Sequence, residues 1–491
     1  MAREQQGGWV RPVLNMLSEA TIQRVIEEAH ALLRDHGIIT HNGGALVLAA
    51  ESGLDVGRDT GRVRIDEPTI ERCLASAPSR IVLYDRSGEP AMDLGDCRPH
   101  FNPGSAAITI LDPGATRSRA PLAADCVRFA RLTGELPHLS GQSTGIVPTD
   151  VPREHADWSR LLIGLLYCEK PVVTGTFRRD SLAVMRDLLL AVRGSDQALR
   201  AKPLAIMDCC PSPPLRWGDH IIQDLIDAAH WGIPTELISM PAMGSVAPVT
   251  IVGSLVQHTA ESLSGIVFSQ LAAPGAPVIY GGSPSLFDMR VSTTPMGAIE
   301  SMVLMCSHAQ IGRHLGLPTH AYMGLSDSKL IDAQAGAETA MGATLGVLAG
   351  VNNMSGPGML ELESCFSLEK LVIDNDLCGT ALRLAAGVAV GEDQLPPPEV
   401  FGHLIAAGHL LVSDHTLRHC REPFYPEVLD RSRREDWARH GCHGAWERAA
   451  DRVTELLEAR PLRLPDAHTT SELLGIGRSV LGDSAIFRPG V

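Results

Sequence analysis

The stretch PVIYGGS (277–283), a Pro-led apolar run that breaks at two glycines, is followed by an amphipathic segment over 295–315. There Ile299, Met302, Val303, Cys306 and Ile311 recur with the 3.6-residue period of a helix. The same phrase repeats from about residue 100 to residue 385. The other strand cores are SAAITIL (105–111), LSGQSTGI (139–146), PVVTGTF (171–177), PLAIMDC (203–209), PTELISM (234–240), PTHAYMG (318–324) and VNNMSGP (351–357). Helical patterns follow them at 121–134, 153–166, 180–193, 216–231, 250–272, 332–349 and 367–385. Proline at a strand start is tolerated, because that position need not donate to the ladder. Eight consecutive βα units predict an α/β fold, a (β/α)8 TIM barrel whose chemistry lies at the carboxyl ends of its strands. A doubly wound open sheet is the rival, but no Gly-rich dinucleotide fingerprint follows the first strand.

The flanks divide the chain into an N-terminal α+β cap (1–98), the barrel (99–390) and a C-terminal helical extension (391–491). In the cap, Ser18 precedes a helix with Ile22, Val25, Ile26, Ala29, Leu32 and Leu33 on one face, and Gly37 stops it. A second helix is expected near 68–76, and IVLYDR (81–86) alternates like a strand. DQLPPPEV (393–400) punctuates the boundary before the extension, where helices are expected near 400–411 and 444–459, then a loose tail.

Of 491 residues, 44% are hydrophobic and 20% charged, and the mean hydropathy is +0.05, as in a water-soluble globular protein that fills a barrel core. No apolar run approaches the roughly 18 residues of a membrane span, and MAREQQGGWVRP has no secretory apolar region. A cytoplasmic enzyme with reduced cysteines is expected from its eleven scattered Cys. The net charge of −15, with no Lys/Arg block beyond pairs such as Arg178-Arg179, argues against nucleic acid.

The strand ends supply the candidate chemistry. In chain order they carry Phe101 and Asn102, Ser143 and Thr144, Thr174, Thr176 and Phe177, Asp208, Glu236 with Met240, and the Tyr280-Gly281-Gly282-Ser283 turn. Tyr322 and Asp327 follow the seventh strand, and Ser355, Gly356, Glu361 and Glu363 the eighth. No His–Ser–Asp succession, no Lys beyond Lys329 and no phosphate-cradling Gly-rich loop appears among them. MGLSDSKLIDAQAGAETA (323–340) is the densest polar cluster; helix capping is the plain reading of its acids, and holding a cation the functional one. Phe101, Phe177, Tyr280, Tyr322 and Phe366 are aromatic candidates for walls around a quaternary ammonium, against ordinary core packing as the alternative. His415 and His419 stand at ligand spacing, but no Cys-x-x-Cys or His-Glu-x-x-His companion accompanies them, and no bound metal is expected.

The chain resembles the trimethylamine methyltransferase (MttB-type) superfamily of corrinoid-dependent methyltransferases. The resemblance rests on Leu-Leu-x-x-His-Gly (32–37), Ala-Pro-Ser-Arg with Tyr-Asp-Arg (77–86), Tyr-Gly-Gly (280–282) and Gly356-Pro-Gly358. It rests also on Ser-Asp-Ser-Lys-x-x-Asp-x-Gln-Ala-Gly-x-Glu (326–338), Asp-His-Thr-Leu-Arg-His (414–419) and Glu-Arg-Ala-x-x-Arg-Val (447–453). It implies transfer of a methyl group from a methylated amine to Co(I) of a corrinoid carried by a separate corrinoid-binding protein. Archaeal members carry pyrrolysine in or beside the region matching 322–334, whereas this chain has only standard residues. The resemblance therefore implies a pyrrolysine-lacking member acting on a quaternary amine of the betaine type: glycine betaine, carnitine or proline betaine. Loss of a methyl from such a substrate leaves a neutral tertiary amine and needs no proton transfer. A sparse acid/base inventory suits an enzyme whose task is mostly positioning.

The expected site is Asp327 and Glu236 as the acidic catalytic candidates, with Phe101, Asn102, Phe177, Tyr280 and Tyr322 around the substrate. Gly281 and Gly282 are expected near the corrinoid, and Arg178, Arg290, His320 or Asn102 against a substrate carboxylate. A homo-oligomer is expected. A metal-dependent barrel hydrolase or lyase, using Asp208 and Glu236 or the 409–443 histidines, and an idle subunit that binds a corrinoid protein are the alternatives.

Overall fold

The computed structural model describes residues 12–388, 396–459 and 463–481; the boundary expected at 390–391 lies outside them. Eight short parallel strands occupy the centre: β1 (His100–Asn102), β2 (Gln142–Ser143), β3 (Val172–Gly175), β4 (Ala205–Cys209), β5 (Thr235–Ser239), β6 (Val278–Gly282), β7 (His320–Ala321) and β8 (Asn353–Ser355). They form two parallel sheets, ordered β6-β5-β4-β3-β2 and β7-β8-β1. Backbone bonds cross both gaps: Tyr280 N–H donates to Pro318 O at 2.9 Å, and Ser140 N–H to Phe101 O at 2.8 Å. The helices that follow the strands are α1 (Ala123–Glu135), α2 (Ala156–Tyr167), α3 (Ser181–Arg193), α4 (Asp219–Trp231), α5 (Ile251–Ala272), α6 (Ile299–His314), α7 (Ala333–Ala349) and α8 (Leu368–Ala385).

The strand expected at 105–111 is displaced. Thr109–Ile110 pairs instead with Cys365–Phe366 in a small separate sheet, and the parallel neighbour of β8 lies upstream at His100–Asn102. A β-branched run marks a strand but not its partner, and the shorter His-Phe-Asn carries less of that signal. The other expected strand cores each contain an observed strand, and the helices start and stop within a few residues of expectation.

Alternation along the strands sorts side chains into two layers. Val173, Ile206 and Ile279 face inward and meet Ile81, Leu83, Met92 and Leu94 in one buried cluster. Those four come from the antiparallel hairpin Ile81–Tyr84/Pro90–Leu94, which closes the amino-terminal end. Outward residues such as Val172 and Met207 pack with α2 and α3, while Leu237, Val278 and Tyr280 pack with the α4–α6 layer. Two residues above the apolar floor, the inward positions are Gly175, Asp208 and Gly281. The polar site begins there.

The N-terminal helix Glu19–Asp35 is capped by Ser18, whose hydroxyl accepts from Thr21 N–H at 3.2 Å. Its Ile22, Val25, Ile26, Ala29 and Leu33 share one core with α4 and α5. A helix at Gly43–Glu51 has no counterpart in the sequence reading, because GGALVLAAE shows no polar face to set a period. The tail expected to be loose instead forms a helix, Ala467–Leu481, whose Leu473 is buried against α2 and α3.

Asp376 on α8 ties down the chain ahead of the helix Ala445–Ala459. Its buried carboxylate accepts from the N–H groups of Glu427, Val428 and Leu429 at 3.0, 2.7 and 3.1 Å. Asp376→Ala leaves these donors unpaired and is expected to destabilise the protein by about 3 kcal/mol. The drop reads out as a lower denaturant midpoint with faster proteolysis near 425–432; an unchanged midpoint refutes the anchoring role.

Candidate active site

Asp208 and Glu236 are register partners on the adjacent strands β4 and β5, so their side chains stand side by side on the inner face of the sheet. Glu236 is fully buried. It belongs to a closed ring of polar groups drawn from β1, β5, β7 and β8. Ser355 Oγ–H donates to Asn102 Oδ1 at 3.0 Å, Asn102 Nδ2–H to Asn353 Oδ1 at 2.7 Å, and Asn353 Nδ2–H to Glu236 Oε2 at 2.9 Å. His320 completes it, with Nε2 3.1 Å from Ser355 Oγ and Nδ1 2.8 Å from Glu236 Oε1. The last contact is close but not aligned as a hydrogen bond, which leaves Glu236 Oε1 and His320 Nδ1 without a hydrogen-bond partner among the described residues. The remaining hydrogen bonds, drawn from four strands, hold the side chains of the ring in place. Tyr322 stands edge-on to His320, ring centres 4.9 Å apart.

Above the ring the chain turns sharply. Glu361, Leu362 and Glu363 take consecutive left-handed conformations, with φ of 51, 58 and 65°. Each such residue costs roughly 1–2 kcal/mol, and runs of them concentrate at functional sites. This turn brings Glu363 into electrostatic reach of Asp208 and Tyr322. Burial pushes the Glu363 carboxyl up to about 8, and the nearby Asp327 adds to the rise. Burial also raises Asp208 well above the carboxylate range, helped by Glu236 and Glu363 and opposed by Arg160. Asp208 Oδ1 and Glu363 Oε1 have no hydrogen-bond partner among the described residues. Three acids thus stand together over an apolar floor, each with one oxygen that has no hydrogen-bond partner among the described residues.

The candidates from the sequence separate on this geometry. Glu236, Asn102 and Tyr322 lie together in the lumen. Phe101 faces outward on β1 and packs with Met354 and Val347, because the inward position is taken by the next residue, Asn102. Tyr280 is likewise turned outward; its hydroxyl stands 3.0 Å from Thr259 Oγ1 on α5. Phe177 is 57% exposed on the loop after β3, its ring under the Arg160 guanidinium at 4.9 Å. Phe366 stacks edge-on with Phe129 in the core. Asp327 accepts from Met296 and Gly297 N–H at 3.1 and 2.8 Å, so it secures the loop leading into α6 and only borders the acid cluster. Burial and Glu338 raise its carboxyl to about 6. Gly281 faces inward, where a β-carbon would stand 2.9 Å from Leu237 O and 3.1 Å from His320 Cβ. Gly282 faces outward against His258, so packing on α5 explains that glycine.

Arg290 pairs with Asp288 in solvent, and Arg178 is exposed. Asn353 and Arg160 were not among the sequence candidates, and Glu363 was named only at the end of the eighth strand, with no role given to it. Glu363 had a signal, being one of two acids after the eighth strand; Asn353 and Arg160 had none, since only neighbours in space give them meaning. In the extension, His415 and His419 lie with ring centres 4.7 Å apart and His419 contacts Glu422. No group of three or more His, Cys, Asp or Glu among the described residues is arranged to hold a metal ion. No helix among them is long and apolar enough to cross a membrane.

Parallel strands, a polar lumen and a helical outer layer define the class, and sequence comparison names the family. A family model described as trimethylamine methyltransferase (MTTB) matches residues 5–473, and the chain belongs to that family. It is a methyltransferase. Among its relatives, trimethylamine methyltransferase MttB of Methanosarcina barkeri is 30% identical over 469 residues, covering 94% of each chain. Trimethylamine methyltransferase MttB of Desulfitobacterium hafniense (strain DSM 10664 / DCB-2) is 29% identical, covering 91% of this chain and 92% of its own length. A glycine betaine methyltransferase of D. hafniense (strain Y51) is 28% identical, covering 90% and 93%. In three dimensions the chain is similar to the crystal structure of the M. barkeri monomethylamine methyltransferase (MtmB), with a TM-score of 0.52, 11% identity and coverage of 91% and 89%.

Proposed function

We propose that the chain demethylates a quaternary amine of the betaine type and passes the methyl group to a corrinoid carried by a partner protein. The two parallel sheets are read as arcs of one closed (β/α)8 barrel, whose mouth at the strand carboxyl ends admits both reactants. The observation that carries the proposal is the acid cluster of Asp208, Glu236 and Glu363 with its bare oxygens. A permanent cation satisfies such a cluster without donating a hydrogen bond, and the Tyr322 ring offers it an aromatic face.

Corrinoid, when present, supplies a Co(I) nucleophile for the methyl carbon. The fit of the mouth to a partner that brings it is supported by apolar side chains on the loops after the strands. Ile108, Phe177, Met240, Val249, Met289 and Val291, all on these loops, are each at least 42% exposed. The chain's own residues do the holding. The Glu236 ring fixes the floor of the site, and the acids orient the ammonium so that one methyl faces the mouth. As the C–N bond breaks, its electron pair stays on nitrogen and the leaving group is a neutral tertiary amine. No residue has to supply a proton, and the acids hold the neutral product more weakly than the cation.

The test is methyl transfer to Co(I) cobalamin by the purified full chain, followed by methylcobalamin absorbance, with glycine betaine, carnitine, proline betaine and trimethylamine as donors. Transfer from trimethylamine alone, or from none of the four, overturns the reading.

A pH effect follows. With Glu363 at about 8, the free enzyme near neutrality holds that carboxyl protonated, and a bound cation favours the carboxylate. Affinity for the ammonium is therefore expected to rise with pH and level off above about 8, with proton release on binding below it. Calorimetry in buffers of differing ionisation enthalpy measures that release; a pH-independent affinity with no released proton refutes it.

A further inference from the structure

A second charged group near the lumen has no adequate partner. Arg160 on α2 is 4% exposed, one of two buried cations among the described residues. The other, Lys370, is matched by Asp374 at 2.5 Å and Thr339 at 2.8 Å. Arg160 is not matched. Its Nε–H donates to Ala156 O at 3.2 Å and an Nη1–H to Thr144 O at 2.8 Å. Its ion pair with Asp157 spans 3.7 Å, too long for a hydrogen bond. Asp157 Oδ2 accepts from Phe177 N–H and Ser181 Oγ–H, both at 2.7 Å, which holds the carboxylate back so that its other oxygen, Oδ1, faces Arg160 without a hydrogen bond.

A guanidinium has five donors, and burying it without a hydrogen-bonded carboxylate is costly. The location is informative as well. Thr144 follows β2 and Phe177 follows β3, so Arg160 stands at the carboxyl ends of those strands. It lies in electrostatic reach of Asp208, and the void it lines together with Ser143, Thr144, Phe129 and Ile163 is about 10 Å³, no larger than a water molecule. The lumen acids have no guanidinium in hydrogen-bonded contact, and Arg160 has no acid in such contact.

We infer that Arg160 is a specificity-determining residue that receives the anionic end of a zwitterionic substrate, a carboxylate joined by a short linker to the ammonium held by Asp208, Glu236 and Glu363. The inference rests on the proposed demethylation of a quaternary amine and adds which part of the chain reads the far end of the donor. Both charges of a betaine are then met, and each half of the site gains the partner it lacks. A donor with the same ammonium and no carboxylate leaves Arg160 unpaired, and discrimination of this kind is strong because the penalty falls on the protein.

The experiment compares glycine betaine with choline, which keeps the trimethylammonium and replaces the carboxylate by a hydroxyl. Full-length wild type, Arg160→Met and Arg160→Lys are assayed with Co(I) cobalamin, and their unfolding midpoints are measured. In the wild type glycine betaine is expected to be preferred. Arg160→Met should raise KM for glycine betaine about 10- to 100-fold, the worth of a lost charge-assisted pair, with KM for choline within about twofold of wild type. Arg160→Lys should recover part of the loss, since it restores charge without the bidentate fork. Equal losses on both donors, or an unchanged KM for glycine betaine, overturn the role of Arg160. If Arg160→Met does not fold, the KM shift in Arg160→Lys decides. Transfer by the wild type from neither donor, nor from carnitine or proline betaine, counts against the demethylation reading itself, and the inference falls with it.

Discussion

Glu236→Gln is expected to lower kcat/KM for transfer from the quaternary ammonium to Co(I) cobalamin by about 100-fold, which corresponds to about 2.7 kcal/mol. The substitution keeps the polar ring. A glutamine Oε1 still accepts from Asn353 Nδ2–H, and its amide can donate to His320 Nδ1 in place of the close carboxylate contact. Stability should therefore stay within about 1 kcal/mol of wild type, since losing a buried charge offsets what the weaker hydrogen bonds cost. What disappears is negative charge at a site shielded from water, where a cation feels it most. Asp208→Asn should act in the same direction and also reduce the proton release on binding. Assay and calorimetry decide together. A large loss of stability with proportionate loss of activity would make Glu236 a structural residue, and full activity in the glutamine variant would remove it from the site.

Gly282→Ala is the second large effect, and it falls on stability. An alanine β-carbon there would stand 2.8 Å from Ser239 O, with the His258 ring in the same space. Neither neighbour can yield easily. Ser239 is held in β5, whose register matches Gly282 itself. His258 is fully buried, its Nε2 3.1 Å from Gly281 O and its ring against Tyr280 and His308. Burial depresses its imidazole to about 3, so it sits there uncharged. Overpacking of this kind is expected to cost about 3 kcal/mol, read as a lower denaturant midpoint. Gly281→Ala, on the inward side of the same strand, crowds His320 and should reduce kcat/KM as well as stability. A Gly282→Ala protein as stable as wild type would show that β6 can shift.

Much was legible before the structure. The eight strand–helix phrases are local, set by side chains a few residues apart, so their order and helix ends could be read directly. Glu236, Asn102 and Tyr322 were reachable because a strand end is a local feature. Three of the candidates that turn outward share one cause. Phe101, Tyr280 and Gly282 lie one residue from an inward-facing neighbour, and with a period of two a shift of one position moves a side chain to the other face. Pattern alone does not fix that parity where both faces of a strand are buried, as here.

The sequence by itself determined the alternation of strands and helices, the family, and the poverty of acid/base groups at the strand ends. Those depend on neighbours in the chain. Only the tertiary structure decided which acids share a lumen, that Asn353 and His320 close a ring with Glu236, and that Glu363 is turned in by a left-handed run. It alone also left the buried Arg160 without a hydrogen-bonded carboxylate. These depend on groups dozens to hundreds of positions apart, brought together where burial strips water from charge and makes each missing partner costly.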